Sequence, residues 1–181
     1  MSIATRVLRT VPIPIPQTIM PRFSKRLPVV EQRQSQSNWC WAACAAMVGN
    51  YYYGLGQFTQ CSVAGHFFTP VDGCCASPCD CNFVFYLDRA LSAVDSFDGK
   101  TWRTSFQELK SRIDADQPVG TRVQWKGGGG HFMLVTGYII TTGEMISLLD
   151  PFYGRATMAF TTYKRLGIGV WTHTYFTARN R

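Results

Sequence analysis

The sequence predicts an α+β fold in which a helical first half is followed by an antiparallel sheet. Three observations predict it. An alanine-rich, almost continuously apolar stretch begins at Cys40, and apolar residues recur at helical spacing in two later segments. After Pro118 the chain changes to β-branched and aromatic runs separated by glycine-bearing turns.

Residues 1–30 carry Pro12, Pro14, Pro16, Pro21 and Pro28 together with Arg6, Arg9, Arg22, Lys25 and Arg26, and no acid. The V-P-I-P-I-P run favours extended polyproline II backbone over a helix. A basic tail or prosegment, dispensable for folding, is therefore expected over 1–30, ahead of one domain over 31–181. The tail lacks the apolar stretch and small-residue cleavage site of a secretory signal peptide, so export is expected only by another route.

The stretch S-N-W-C-W-A-A-C-A-A-M-V-G-N-Y-Y reads as a helix capped at Ser37 or Asn38. Apolar residues surround it on nearly every side, the pattern of a central buried helix. Residues 54–80 hold Gly54, Gly56, Pro70, Gly73 and Pro78 with little periodicity, and read as a stapled loop region. Asn82 opens a second helix, with Phe83, Leu87, Ala90, Leu91 and Val94 on one face. Ser105 and Glu108 form a capping-box pattern ahead of Leu109 and Ile113, which predicts a third.

Strands are expected over Val119–Trp125, Phe132–Ile140, Met145–Leu149, Arg155–Phe160 and Ile168–Thr177. A simple hairpin turning at Thr142–Gly143 sets Tyr138 opposite Ser147 and Val135 opposite Asp150. Nothing repeats internally.

With 46% apolar and 14% aromatic residues over 181 positions, the chain can bury a core without a partner, and a monomer is expected. The longest apolar runs are far shorter than the ~20 residues of a membrane-spanning helix. The net charge of +7 is partly a property of the tail, and no aromatic platform or basic helix accompanies it, so nucleic-acid binding is not predicted. No cofactor is expected. The seven cysteines are an odd number, which predicts one free thiol beside up to three disulfides among Cys44, Cys61, Cys74, Cys75, Cys79 and Cys81. Their spacing does not reproduce a paired zinc-finger pattern.

A thiol attacks as its thiolate, and the unpaired N–H groups of a helix N-terminus favour an anion. Cys40 falls in such a first turn. Cys44 sits one turn deeper, walled by alanines, and reads as a structural thiol. Of three histidines, His131 stands out because it opens an apolar strand behind four glycines, Gly127–Gly130, that leave room for a substrate chain. His66 lies in the cysteine-rich loop and His173 alternates with Trp171 and Tyr175, so both are expected to be packed or surface groups. Asp150 closes the next strand in S-L-L-D-P-F-Y-G. In a flat ladder with the simple hairpin it lies on the His131 face but ~13 Å away, so a bulge or strong curl is required to join them.

These residues carry a family resemblance. The block Q-S-Q-S-N-W-C-W-A, with Gln34 six residues before Cys40, resembles the glutamine–nucleophile–tryptophan block of the papain family, and His131 at the head of a strand through V-T-G-Y resembles its histidine block. The run C-W-A-A-C-A-A-M-V-G is similar to the papain-like avirulence peptidases that plant-pathogenic bacteria inject into host cells, which also carry aspartate followed by proline where papain has asparagine. The resemblance implies a papain-like fold and a cysteine endopeptidase acting on a protein or peptide. It implies Cys40 as nucleophile, His131 as general base, Asp150 as the residue orienting the histidine, and an oxyanion hole formed by the Gln34 amide and the Cys40 backbone N–H. It also implies a protein that is secreted or delivered into another cell.

One departure concerns Asn38 and Trp39, which stand where papain has glycine and serine. Trp39 is expected either to shape a substrate wall or to pack. A papain-fold amidase cutting cell-wall peptides uses the same cysteine and histidine and is the competing activity. Bacteriocin-leader peptidases share the histidine-to-Asp-Pro stretch but place aspartate and glycine around their cysteine. A silent binding module on the same scaffold is opposed by the intact Cys40, His131, Asp150 and Gln34.

Overall fold

The computed structural model describes residues 23–69 and 73–180. Helix α1 spans Cys40–Tyr53, and every residue from Cys40 to Asn50 is buried, as an all-round apolar pattern requires. It packs against α2 (Gln60–Gly65), α4 (Leu87–Ala93) and strand β4 (Gly130–Ile140). The N-cap is Trp39, without a side-chain cap bond, rather than Ser37 or Asn38. Those two side chains are engaged elsewhere. Asn38 bonds through its backbone N and its Nδ2 to the Oδ1 and carbonyl of Asn82, both at 2.9 Å, while Asn82 Nδ2 donates to Ser37 Oγ at 2.9 Å.

This pairing also explains why the second expected helix starts late. The Trp39 indole N–H donates to the Cys81 carbonyl at 2.8 Å and that of Trp41 to the Phe83 carbonyl at 2.9 Å. These side-chain donors and Asn38 hold the carbonyls of residues 81–83 in a path that is not helical, and the Cys81 carbonyl also accepts from Phe83 N at 2.8 Å. Residues 82–86 therefore run without helix, with Phe83 and Tyr86 exposed, and α4 begins at Leu87. Trp39 is fully buried, so it packs and does not form a substrate wall.

The cysteine region is stapled as expected, by two bridges and not three. Cys61 pairs with Cys75, and Cys74 of α3 (Gly73–Ala76) pairs with Cys81 at the end of the 3-10 turn Pro78–Cys81. Cys40, Cys44 and Cys79 remain thiols. A third pair does not form because α1 holds Cys44 inside the core whereas Cys79 faces solvent on the loop.

The sheet comprises β2 (Phe97–Trp102), β3 (Val119–Trp125), β4, β5 (Glu144–Asp150), β6 (Gly154–Ala159) and β7 (Gly169–Thr177), in the order β2-β7-β3-β4-β5-β6 and antiparallel throughout. Helix α5 (Phe106–Asp114) starts at Ser105, whose Oγ accepts from Glu108 N at 3.1 Å. Only half of the capping box forms, since Glu108 turns to Arg112 at 3.0 Å. The last expected strand but one ends early, as Phe160–Tyr163 forms the short helix α6.

Two strands were not expected, β2 and one at the start of the described residues. Residues Phe23–Arg26 form β1 and pair with Ile140–Gly137 of β4, continuing along the edge that β3 occupies over residues 130–135. Leu27 and Val29 follow into the core, 1% and 2% exposed. The domain therefore begins before residue 31, because the second half of β4 offers unpaired backbone groups that β1 satisfies. Gly137 makes the approach possible: a Cβ there would stand 2.6 Å from the Lys25 carbonyl oxygen. Of the tail expected over residues 1–30, residues 1–22 lie outside the described residues.

Two outcomes follow from this packing. A chain starting at Leu27, which loses the β1 ladder and the Lys25 contacts to Asp114 and Asp116, is expected to be less stable than one starting at Phe23 by on the order of 2 kcal/mol. Denaturant midpoints of the two chains check it, and equal midpoints would reject a structural role for β1. Alkylation of the unreduced, denatured protein is expected to label three cysteines, Cys40, Cys44 and Cys79; mass spectrometry of the digest reads which.

Candidate active site

The site depends on the register between β4 and β5. From the turn, Ile140 faces Glu144 and Gly137 faces Ser147, one residue short of the simple hairpin expected from the sequence. Beyond Thr136 the register shifts again, so that Val135 faces Leu148 and Leu134 faces Leu149. Thr136 is the extra residue of a bulge, and its carbonyl accepts from Leu27 N at 2.8 Å. One further step along the ladder sets Asp150 beside Met133, two residues from His131 and on its face. Either shift alone would have turned Asp150 to the opposite face.

The two side chains meet. His131 Nε2 and Asp150 Oδ1 are 2.7 Å apart, and the same oxygen accepts from the backbone N–H groups of Phe152 at 2.7 Å and Tyr153 at 3.1 Å. Asp150 thus serves both its Asp-Pro turn and the histidine. Cys40, the first residue of α1, lies close enough to the ring to support its charged form. Burial disfavours the His131 imidazolium, yet the bonds to Asp150 and Cys40 and their negative charges outweigh it and hold the ring up to about 9. Burial pushes the Asp150 carboxyl up, but the His131 bond and charge and the two backbone donors hold it below the usual carboxylate range. Burial, and then the charges of Cys40 and Asp150, raise the Cys44 thiol well above its ordinary value, so Cys44 stays protonated.

Gln34 lies near this group but is turned from it. Its Nε2 donates to the Gln36 carbonyl at 3.0 Å and the Ser37 carbonyl at 2.8 Å, while its Oε1 is buried without a hydrogen-bond partner among the described residues. The backbone is held to the Asp150 turn, with Gln34 N donating to the Pro151 carbonyl at 2.8 Å.

Three contributors were not legible in the sequence. Trp125, at the end of β3, stacks on His131 with ring centroids 6.2 Å apart and planes 18° from parallel, covering one face of the ring. Asn82 holds the entry to α1, as described above. His173 packs on Trp102, as a packed histidine was expected to, and also lines the cleft beside Cys40. Cross-strand register brings Trp125 and His173 to the site and side-chain bonds to residues 37 and 38 bring Asn82, neither of which has a local signal.

A cleft of about 550 Å³ opens beside Cys40, between α1 and the sheet. Tyr86, Phe132 and Tyr175 wall it, and Gly129 and Gly130 form its rim ahead of His131. Among the described residues no cluster of three or more His, Cys, Asp or Glu side chains is arranged to hold a metal, and no helix is long and apolar enough to cross a membrane.

A cysteine at a helix N-terminus facing a histidine–carboxylate couple is the constellation of a thiol hydrolase. The family described as "Peptidase_C39 like family" matches residues 25–178, so the chain belongs to the Peptidase_C39-like family, and this supports a cysteine peptidase. A Bacillus anthracis crystal structure assigned as a C39-like peptidase shares the fold, with a TM-score of 0.61 at 13% identity over 88% of this chain and 100% of that one. A double glycine motif protease from an AMS/PCAT transporter, solved with the leader peptide, aligns at a TM-score of 0.49 and 17% identity over 85% of this chain and 95% of that one. No curated protein matches. Nothing in these comparisons singles out the avirulence peptidases.

The raised His131 value has a kinetic consequence. A reaction that needs the imidazolium is expected to lose kcat/KM as pH rises through about 9, where the ring gives up its proton. Asp150→Asn removes a charge that supports the imidazolium, so the alkaline limb is expected to move to lower pH, with a loss of less than about 100-fold at neutral pH. A limb that does not move on this substitution would separate Asp150 from the histidine.

Proposed function

We propose that the protein is a cysteine endopeptidase in which Cys40 attacks, His131 transfers protons and Asp150 orients the ring. The observation that carries this reading is the hydrogen bond of His131 Nε2 to Asp150 Oδ1 at 2.7 Å, with Cys40 at the start of α1 close enough to the ring to support its charge.

The Cys40 thiolate adds to the carbonyl carbon of a peptide bond, forming a C–S bond and an oxyanion. The C–N bond then breaks, and the His131 imidazolium gives its proton to the departing amine. Water, deprotonated by the now neutral His131, attacks the thioester and releases the acid and the cysteine. The backbone N–H of Cys40, at the first position of α1, is one donor for the oxyanion. Gln34 Nε2 supplies the second in this reading, which requires one of its bonds to the Gln36 and Ser37 carbonyls to yield when substrate enters. The Asp150 carboxylate keeps Nε2 protonated, leaving the nitrogen nearest Cys40 to move the proton.

Two disulfides fit a protein that works in an oxidising compartment, and we place its activity after export. Delivery into another cell rests on the sequence resemblance alone. The test uses an unbiased peptide library and, separately, purified peptidoglycan, with products read by mass spectrometry. Cleaved peptides are expected, with Cys40→Ala and His131→Ala each lowering kcat/KM on the order of 10⁴-fold or more while the fold is retained. Fragments from peptidoglycan with every library peptide intact would replace this reading by the cell-wall amidase.

A further inference from the structure

The cleft beside Cys40 has a charge pattern that the peptidase chemistry does not use. Of its lining residues, Lys100 and Arg122 are cations and none is a carboxylate. Lys100 reaches outside the lining to Asp88, 2.7 Å away, and so is already neutralised. Arg122 is not. It is half-buried, its only side-chain partner is Thr172 Oγ1 at 3.4 Å, and no carboxylate lies within ion-pair distance among the described residues. A guanidinium removed from bulk water with so little compensation leaves most of its five donors available.

Its position is as informative as its charge. A Cβ on Gly130 would stand 2.7 Å from Arg122 Nη2, so the guanidinium lies against the backbone immediately before His131. A group bound to Arg122 is thus held in the cleft that Cys40 lines, against the glycine rim that leads into His131. The buried Phe132 and Tyr175 line the same cleft and give it apolar walls. The field of the two cations is felt across the cleft, since burial and then the charges of Arg122 and Lys100 hold His173 below the usual histidine range. His173 is therefore neutral at pH 7 and does not compete for an anion.

We propose that Arg122 is a specificity-determining residue that selects peptides carrying an aspartate or glutamate side chain beside the cut bond. The inference rests on the peptidase reading above. A side-chain carboxylate matches the forked donors of Arg122 in two parallel hydrogen bonds, and the methylene stem of glutamate packs on the aromatic walls. Glutamine offers one acceptor and no charge. Lysine meets an uncompensated cation.

The experiment compares N-acetylated, C-terminally amidated peptides that differ only in Glu, Gln or Lys at the positions flanking the cut, so that the side chain is the only source of carboxylate. Binding of the same peptides to the full chain carrying Cys40→Ala is measured by fluorescence anisotropy. The native protein is expected to cut Glu peptides about 10-fold faster in kcat/KM than Gln peptides, with Lys slowest. Arg122→Gln brings the Glu-to-Gln ratio to about one, and Arg122→Lys restores part of it, which a merely structural role would not do. Equal rates for Glu and Gln in the native protein, or a ratio that survives Arg122→Gln, overturns the proposal, and the native measurement decides even where a variant fails to fold. Cleavage without charge preference removes the subsite and leaves the peptidase standing. No cleavage together with about 10-fold tighter binding of Glu over Gln peptides does the reverse.

Discussion

Thr136 adds one residue to β4 that β5 does not match, and the arrangement of the site follows from that mismatch. Side chains alternate across a strand, so pairing register decides both how far apart two groups lie and which face they occupy. The turn removes one residue from the simple hairpin and the bulge removes another, and together they bring Asp150 to His131 without changing its face. The bulge has a cost: Thr136 Oγ1 and the nearby Ser147 Oγ are buried without hydrogen-bond partners among the described residues. Leu27 N offsets part of it by capping the Thr136 carbonyl, which couples the first described strand to the geometry of the site.

The other half of the site is held by polar bonds inside an apolar shell. Two indole N–H groups and one asparagine fasten the entry to α1 onto residues 81–83, and the Cys74–Cys81 bridge fastens that strip to the loop region. The bulky Trp39 and Trp41 therefore stand around the nucleophile without intruding on it. Each places its ring in the core and its single donor on a backbone carbonyl of residues 81–83. The nucleophile is set by this brace and the base by the sheet, and the cleft is the seam between them.

Electrostatics then ranks the thiols. Cys40 and Cys44 lie one helical turn apart on α1, yet only Cys40 stands at the helix start and lines the cleft. Cys44 meets burial and the charges of Cys40 and Asp150, all of which oppose ionisation. The same negative charges that silence Cys44 sustain the proton on His131.

Much was legible in the sequence because it is encoded locally. The apolar sweep of α1, the Ser105 cap of α5, the β-branched runs after Pro118 and the placing of Cys40 at a helix start each depend on residues a few positions apart. His131 and Asp150 were legible as candidates, as was the need for a bulge between them. The tertiary structure alone decided where that bulge falls, that β1 completes the edge of β4, and that Cys44 and Cys79 stay unpaired. It also decided that residues 82–86 are drawn out of a helix, against their own apolar spacing, by indole donors more than forty positions earlier in some cases and by Asn38. The physical reason is common to all of these. A backbone carbonyl, a thiol or a strand edge takes whatever partner the folded chain brings within reach, and hydrophobic periodicity says which face is buried but not which distant group will meet it.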